Sequence, residues 1–270
     1  MPDWVYEEEI FSHDFALWWS PDSQKVAFLK FDETEVDEYN FPVYNPTNDN
    51  DAVIPYTHDV IMKYPKPGYN NPLVSVHVFD LGRHLLSDSH LDLETPSVTG
   101  FPDAENTYEL DWPQRHATNE SIVLEVAWVG NASLIVKEVN RNADNGTVLL
   151  FDLDADARLR SFGTVVRKLG KEGEEGDSGW IDNVRCCCQV FCDVFDVDCQ
   201  TLQEQNIHRV PASFVQGGKD AYLDIVPTKD GFNHIALFSP ASSSDPHFLT
   251  SGQWEVTGGI HGIDAQKGIV

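Results

Sequence analysis

An all-β fold is what this sequence predicts, and three observations carry that reading. Apolar and polar residues alternate with period two, or run in apolar stretches of strand length, along nearly the whole chain. Helical periodicity is confined to a short stretch around Tyr6 to Phe11. A weak internal echo (a Trp-containing strand, a turn, an apolar strand) occurs at Trp19 to Phe28 and again at Trp128 to Val136. Short strands with such an echo point to radial blades or to a sandwich.

The elements follow in chain order. Ala16 to Phe31 is two apolar runs around Pro21-Asp22-Ser23, a hairpin signal. Leu73 to Asp80 alternates strictly, and Ser121 to Val139 reads as a second hairpin turning at Gly130-Asn131. Thr147 to Leu153 follows as a strand, then Ala221 to Val226, His234 to Phe238, Pro246 to Thr250 and Trp254 to Val256. The polar, Pro- and Asn-rich stretches Asn45 to Asp51, Pro96 to Asn106 and Lys168 to Gly179 read as loops rather than domain linkers. At roughly 40–50 residues per blade, the chain accommodates about five four-stranded blades. A propeller closes on itself, so a partial set leaves two open edges.

Composition narrows the function classes. The 270 residues include 18 Lys+Arg against 44 Asp+Glu, a formal charge of −26, so phosphate-rich partners such as nucleic acid or an anionic lipid surface are repelled. Cationic partners remain, the free amino end of a peptide among them. With 41% hydrophobic and 23% charged residues the chain is ordinary globular material with ample length for a core. No run of about 18 apolar residues is present to span a bilayer. The opening Met1 to Glu9 has neither a basic n-region nor an apolar h-region, so any export signal is expected upstream of it.

All five cysteines, Cys186, Cys187, Cys188, Cys192 and Cys199, fall within 14 residues. The spacing lacks the separated C-x-x-C pairs and histidines of a structural zinc site, and so tight a cluster cannot staple distant segments. Residues 184–203 are read instead as translated intron, with an irregular surface insert as the alternative. Val184-Arg185 can be encoded GTACGT and Gln203 CAG, the usual intron edges, and the 20 codons keep the frame. Their removal joins Gly179 to Asn183 directly to Glu204 to Pro211.

Other chemistry is sparse. Gly176-Asp177-Ser178-Gly179 is followed by Trp180 rather than glycine and reads as a loop. No Gly-x-Ser-x-Gly nucleophile elbow, P-loop or dinucleotide fingerprint occurs. His77, His84 and His90 are expected to be strand and loop histidines rather than metal ligands. No catalytic residue, metal or cofactor is therefore expected in this chain.

The run Asp3-Trp-Val-Tyr-Glu-Glu-Glu-Ile-Phe11, followed by Ala16-Leu-Trp-Trp-Ser-Pro-Asp22, resembles the dipeptidyl peptidase IV family, serine peptidases of the prolyl oligopeptidase clan. Lys63-Tyr-Pro-Lys-Pro-Gly-Tyr-Asn-Asn-Pro72, Asp230-Gly-Phe-Asn-His-Ile235 and Leu249-Thr-Ser-Gly-Gln-Trp-Glu-Val256 extend the resemblance in family order, and the wording is nearest to the fungal dipeptidyl aminopeptidases. The resemblance implies a partial β-propeller spanning residues 1–270, without the α/β-hydrolase domain and Ser-Asp-His triad that follow it in the family. On its own such a chain is expected to be inactive. A full-length relative is expected to release X-Pro or X-Ala dipeptides, with homodimerisation as a further expectation.

The resemblance also implies a site. In the family two adjacent glutamates of the Tyr-Glu-Glu-Glu run hold the substrate's free amino terminus, and they match Glu8 and Glu9. The physics agrees: an ammonium has three donors and no acceptor, and two carboxylates satisfy them with charge-assisted bonds. Two extended residues span about 7 Å, so a nucleophile that far from the anchored amine releases a dipeptide. The bland alternative is a solvated acidic run, Glu7 to Glu9.

Three N-glycosylation sequons, at Asn119, Asn131 and Asn145, lend mild support to a lumenal or extracellular, secretory-pathway protein, membrane-anchored or secreted at full length. A β-rich binding module without catalysis is the competing reading. A fragment should expose unpaired strand edges and aggregate, whereas a module should be a soluble monomer with a cooperative melt.

Overall fold

The structure, a computed structural model, describes residues 2–49, 51–87, 106–154, 162–171, 181, 206–215, 217–260, 262–264, 267 and 270. The first expected hairpin is β1 (Leu17–Trp19) with β2 (Lys25–Asp32), paired from Leu17 opposite Phe28 to Trp19 opposite Val26. A second hairpin, β3 (Glu38–Val43) and β4 (His58–Lys63), stands apart as its own two-stranded sheet. The chain then returns to pair β5 (Leu73–Asp80) with β2 and adds β6 (Thr107–Leu110) outside it. Sheet I is thus four antiparallel strands in the order β1-β2-β5-β6.

Sheet II repeats the plan without interruption: β7 (Ser121–Trp128), β8 (Ser133–Asn140), β9 (Asn145–Asp152) and β10 (Thr164–Gly170) lie side by side in sequence order. Sheet III does the same with β11 (His208–Arg209), β12 (Tyr222–Pro227), β13 (Asn233–Phe238) and β14 (His247–Phe248).

The first strands of the three sheets are neighbours. β7 packs against β1 on one side and β11 on the other, which selects the radial arrangement over a sandwich. The echo is therefore a blade repeat, and its two copies meet beside their tryptophans: the Trp128 indole N–H donates to the carbonyl of Trp18, the residue before Trp19, at 2.9 Å. This is a portion of a β-propeller.

Each sheet buries side chains by alternation. Between sheets I and II lie Trp18, Ala27, Leu29, Val76 and Val78 against Val123, Val136, Leu149 and Phe151. Between sheets II and III lie Ala127, Ile135 and Val148 against Tyr222, Ala236 and Phe238. Sheet II is covered on both faces, which is why β8 reads as the unbroken run Leu134-Ile135-Val136 rather than as an alternating strand.

A buried ionic network crosses the second interface. Lys137 on β8 bonds Asp224 on β12 and Glu125 on β7, each at 2.9 Å, and Arg167 on β10 bonds the other Asp224 oxygen. The Arg167 guanidinium also lies over the Phe238 ring, 4.0 Å from its centroid. Burial opposes the charge on Lys137, but Asp224 and Glu125 outweigh it and hold the ammonium's pKa up. Burial likewise opposes ionisation of Asp224, and the two cations outweigh it and pull that carboxyl down. Two cations and two anions thus balance where neither pair would alone.

Several expectations change. Among the described residues there are three four-stranded sheets where length arithmetic gives about five, because residues 38–63 form the separate hairpin and several stretches lie outside the described residues. Trp254 to Val256 is not a strand. It is loop held by one bond, from the Val256 N–H to the Asn233 carbonyl at 2.8 Å. Lys168 to Gly170, read as loop, closes β10 by pairing with Thr147 to Asn145. The segment 184–203 read as translated intron, all five cysteines, Gly176 to Gly179 and His90 lie outside the described residues.

Candidate functional site

Glu8 and Glu9 sit on a π-helix, Val5–Phe11, a rare element that is over-represented at functional sites. Its start is fastened by Asp3, whose carboxylate accepts the N–H groups of Val5 at 3.0 Å and Tyr6 at 3.3 Å, while the Asp3 carbonyl accepts that of Glu7 at 2.9 Å. Its end is turned by Ser12 in the left-handed conformation, φ 55°. Tyr6, Ile10 and Phe11 face inward, whereas Glu7 is half-buried and Glu8 and Glu9 are exposed. Thus Glu8 and Glu9 present their carboxylates to solvent from an element whose other face is packed.

Tyr6 is what fixes that face. It is 1% exposed, meets Phe31 edge-on at 5.0 Å, and its hydroxyl oxygen accepts the Val123 N–H at 3.0 Å. Val123 stands beside the β-bulge of β7, where register against β8 shifts between Val123 and Glu125. Burial pushes the phenol far above its usual pKa, so the hydroxyl stays neutral. Helix and inner strand of the next blade are therefore tied through one buried oxygen. Replacing Tyr6 with Phe leaves the Val123 N–H buried and unpaired, at a cost of about 1–3 kcal/mol. Urea unfolding of the variant should show that loss with an unchanged m-value.

Asp3 makes this anchorage pH-sensitive. Burial raises its carboxyl to about 6, against the opposing pull of the Val5 and Tyr6 N–H groups. A folded-state pKa above the unfolded one means stability that is complete below pH 3.8 and is lost as pH rises through about 6. The helix should accordingly be firmer at pH 4 than at pH 7. Hydrogen exchange of the Tyr6 and Glu7 amides, corrected for intrinsic rate, reads this directly, and Asp3→Asn should flatten the dependence.

Two of the sequence runs singled out above also meet here. Trp4 of the first packs on Tyr64 of Lys63-Tyr64-Pro65, with centroids 4.5 Å apart, so the helix abuts the foot of the β3–β4 hairpin. The two later runs join as well: buried His234 lies 3.0 Å from the Thr250 hydroxyl and 3.2 Å from the Gly252 carbonyl, with Trp254 edge-on at 4.8 Å. Gly252, at φ 136°, leaves room that a Cβ would take from the Trp254 indole. This second junction is structural and lies on sheet III.

Of the sequon asparagines, Asn119 and Asn131 are exposed in turns at opposite ends of β7, and Asn145 is half-buried at the start of β9. Among the described residues no three metal-binding side chains cluster. His77, on β5, pairs with Ser75 at 2.8 Å and stacks on Phe28, whereas His84, expected in strand or loop, sits on a short α-helix, Leu81–Ser87, against Phe79. Sequence reasoning passed over Asp3 and Tyr6 as positioning residues. An acidic side chain just ahead of the helical periodicity at Tyr6 to Phe11 was the available signal for Asp3, whereas nothing local marks Tyr6 as the partner of residue 123.

Comparison with known proteins places these features. The family model for the dipeptidyl peptidase IV (DPP IV) N-terminal region matches residues 1–270. A protein of Coccidioides posadasii named as a dipeptidyl-aminopeptidase B is 32% identical over the whole chain, which covers 24% of that protein. One of Schizosaccharomyces pombe named as a dipeptidyl aminopeptidase is 33% identical, again over the whole chain and 28% of the relative. The chain thus spans about a quarter of the length of these relatives. In structure it resembles the dipeptidyl peptidase 4 of Porphyromonas gingivalis with a TM-score of 0.58, at 23% identity over 98% of this chain and 28% of that one.

Proposed function

Since the chain belongs to the dipeptidyl peptidase IV N-terminal region family, we propose that it supplies the amine-anchoring part of a serine-type dipeptidyl peptidase's propeller, with Glu8 and Glu9 holding the free amino terminus of peptide substrates. The observation that carries this is the π-helix itself: two adjacent exposed carboxylates on an element locked from behind by Asp3, Tyr6 and Phe11. A solvated acidic run needs no such support, whereas an ammonium clamp does, since charge-assisted bonds depend on a fixed geometry.

In this reading the chain recognises and positions, and the nucleophile that cleaves belongs to a hydrolase domain elsewhere in the full-length protein. Anchoring the amine fixes the cut two extended residues away, about 7 Å, which yields a dipeptide. The exposed apolar side chains Leu17 and Trp19 on the free face of sheet I fit a larger protein in which further blades cover them. A lumenal or extracellular location, N-glycosylation and homodimerisation of the full-length protein belong to the same proposal. Among the described residues no helix is long and apolar enough to cross a membrane. The test is dipeptide release by the full-length peptidase carrying Glu8→Gln or Glu9→Gln: both should lose activity on free-amine peptides, and unchanged turnover in either overturns the assignment.

A further inference from the structure

One cleft in the molecule has no part in amine anchoring. It is half-open, about 260 Å³, and is lined by Gln114, His116, Asn145, Thr147 and Lys168. Thr147 and Lys168 are direct cross-strand partners on β9 and β10, and Asn145 is two residues before Thr147 on the same face of its strand. The β6–β7 connection brings Gln114, in the left-handed region at φ 61°, and His116 over them.

Glu138, fully buried, is the cross-strand partner of Thr147 on β8, and its carboxylate accepts the Trp112 indole N–H, the His116 backbone N–H and the Ser121 hydroxyl at 3.1, 3.0 and 2.6 Å. The wall holds an unmet need. Thr147 is 5% exposed, and its hydroxyl has no hydrogen-bond partner among the described residues. An unpaired buried hydroxyl costs about 1–3 kcal/mol, which a group bonding it from within the cleft would recover.

Asn145-Gly146-Thr147 is also a glycosylation sequon. The acceptor asparagine and the unpaired hydroxyl thus line the same cleft. At 260 Å³ it lies below the ~300–1,000 Å³ of clefts that enclose drug-sized ligands. It suits one sugar residue, and its lining of amides, imidazole, hydroxyl and ammonium matches the hydroxyls and acetamido group of a sugar.

We propose that the cleft seats the first N-acetylglucosamine of a glycan carried by Asn145, bonded by Thr147, His116, Gln114 and Lys168. The bond forms between the Asn145 amide nitrogen, which gives up one proton, and the anomeric carbon of a diphospholipid-linked oligosaccharide, whose lipid diphosphate departs. A glycan so seated joins the β6–β7 connection to β9 and β10, and stiffens the outer rim between sheets I and II. The proposal rests on the export reading above but not on Glu8 or Glu9.

The whole chain, given an export leader and expressed through a secretory pathway, tests it whatever its native location. Glycopeptide mass spectrometry should find Asn145 occupied, and trimming every glycan to a single N-acetylglucosamine should leave Tm unchanged. Gln114→Ala should lower Tm by about 2–4 °C, the scale of 1 kcal/mol in a chain of this size, and do so only when the sugar is present. In an Asn145→Gln background, or after enzymatic release of the glycan should that variant not fold, the same substitution should have no effect. An unmodified Asn145 beside a modified Asn131 overturns the proposal, as does an equal Tm loss with and without the sugar.

Discussion

Replacing Asp224 with alanine is expected to cost about 3–5 kcal/mol of folding stability, because it strands Lys137 and Arg167 as buried cations without their shared anion. Asp224 is 1% exposed and bridges β8 and β10 of one blade to β12 of the next, so the loss falls on the interface between sheets II and III. In a domain of this size each kcal/mol corresponds to about 2–4 °C, and the melting temperature should fall by roughly 6–20 °C. Asp224→Asn should fall in between, since it keeps the shape and one acceptor but not the charge. The exposed pair Lys171–Asp144 provides the internal control: truncating Lys171 should leave the melt where it was. Acid should act like the mutation. The depressed carboxyl contributes stability that is present above pH 3.8 and is lost as pH falls through its lowered folded-state pKa.

Substitution of Glu8 or Glu9 is the second large effect, on function rather than on folding. Both side chains are exposed, so Glu8→Gln and Glu9→Gln should leave Tm within error. In the full-length peptidase each should lower kcat/KM on free-amine peptides by about 10- to 150-fold, the equivalent of one hydrogen bond to a charged group at about 1.5–3 kcal/mol. The double variant should approach the background rate. Since the amine is remote from the scissile bond, its binding energy positions the substrate, and kcat should fall along with any rise in KM.

Much of this fold is legible in sequence because period two survives wherever a strand has one wet face. Leu73 to Asp80 is an example: it alternates half-buried and buried along its whole length and is recovered residue for residue. The strands that escape are those whose burial is set by tertiary context. β3 and β4 form a hairpin outside the main sheets, so most of their side chains are exposed or half-exposed and no apolar face marks them. β10 ends in Lys168-Leu169-Gly170, where a charged residue facing the cleft reads as loop. Trp254 to Val256 shows the reverse error: Trp254 covers His234 edge-on and Val256 packs on the cluster around Leu223 and Ile225, and neither is a rung of the ladder.

The site divides the same way. Glu8 and Glu9 are named by a contiguous run, which sequence displays. Their support is not contiguous, since Tyr6 reaches a backbone amide 117 positions away. The ionic network is equally invisible, because Glu125, Lys137, Arg167 and Asp224 appear as ordinary strand charges until two sheets are placed face to face.

Recognition of a peptide's amino end by Glu8 and Glu9 is tested most directly by a binding cycle. Affinity of the full-length peptidase, its nucleophile disabled, is measured for one tripeptide with a free and with an acetylated amino terminus, in the parent and in Glu8→Gln/Glu9→Gln. Acetylation should weaken binding at least tenfold in the parent and make no difference in the double variant. If the double variant still prefers the free amine as strongly as the parent, the amine is held elsewhere, and these two glutamates are a solvated acidic run.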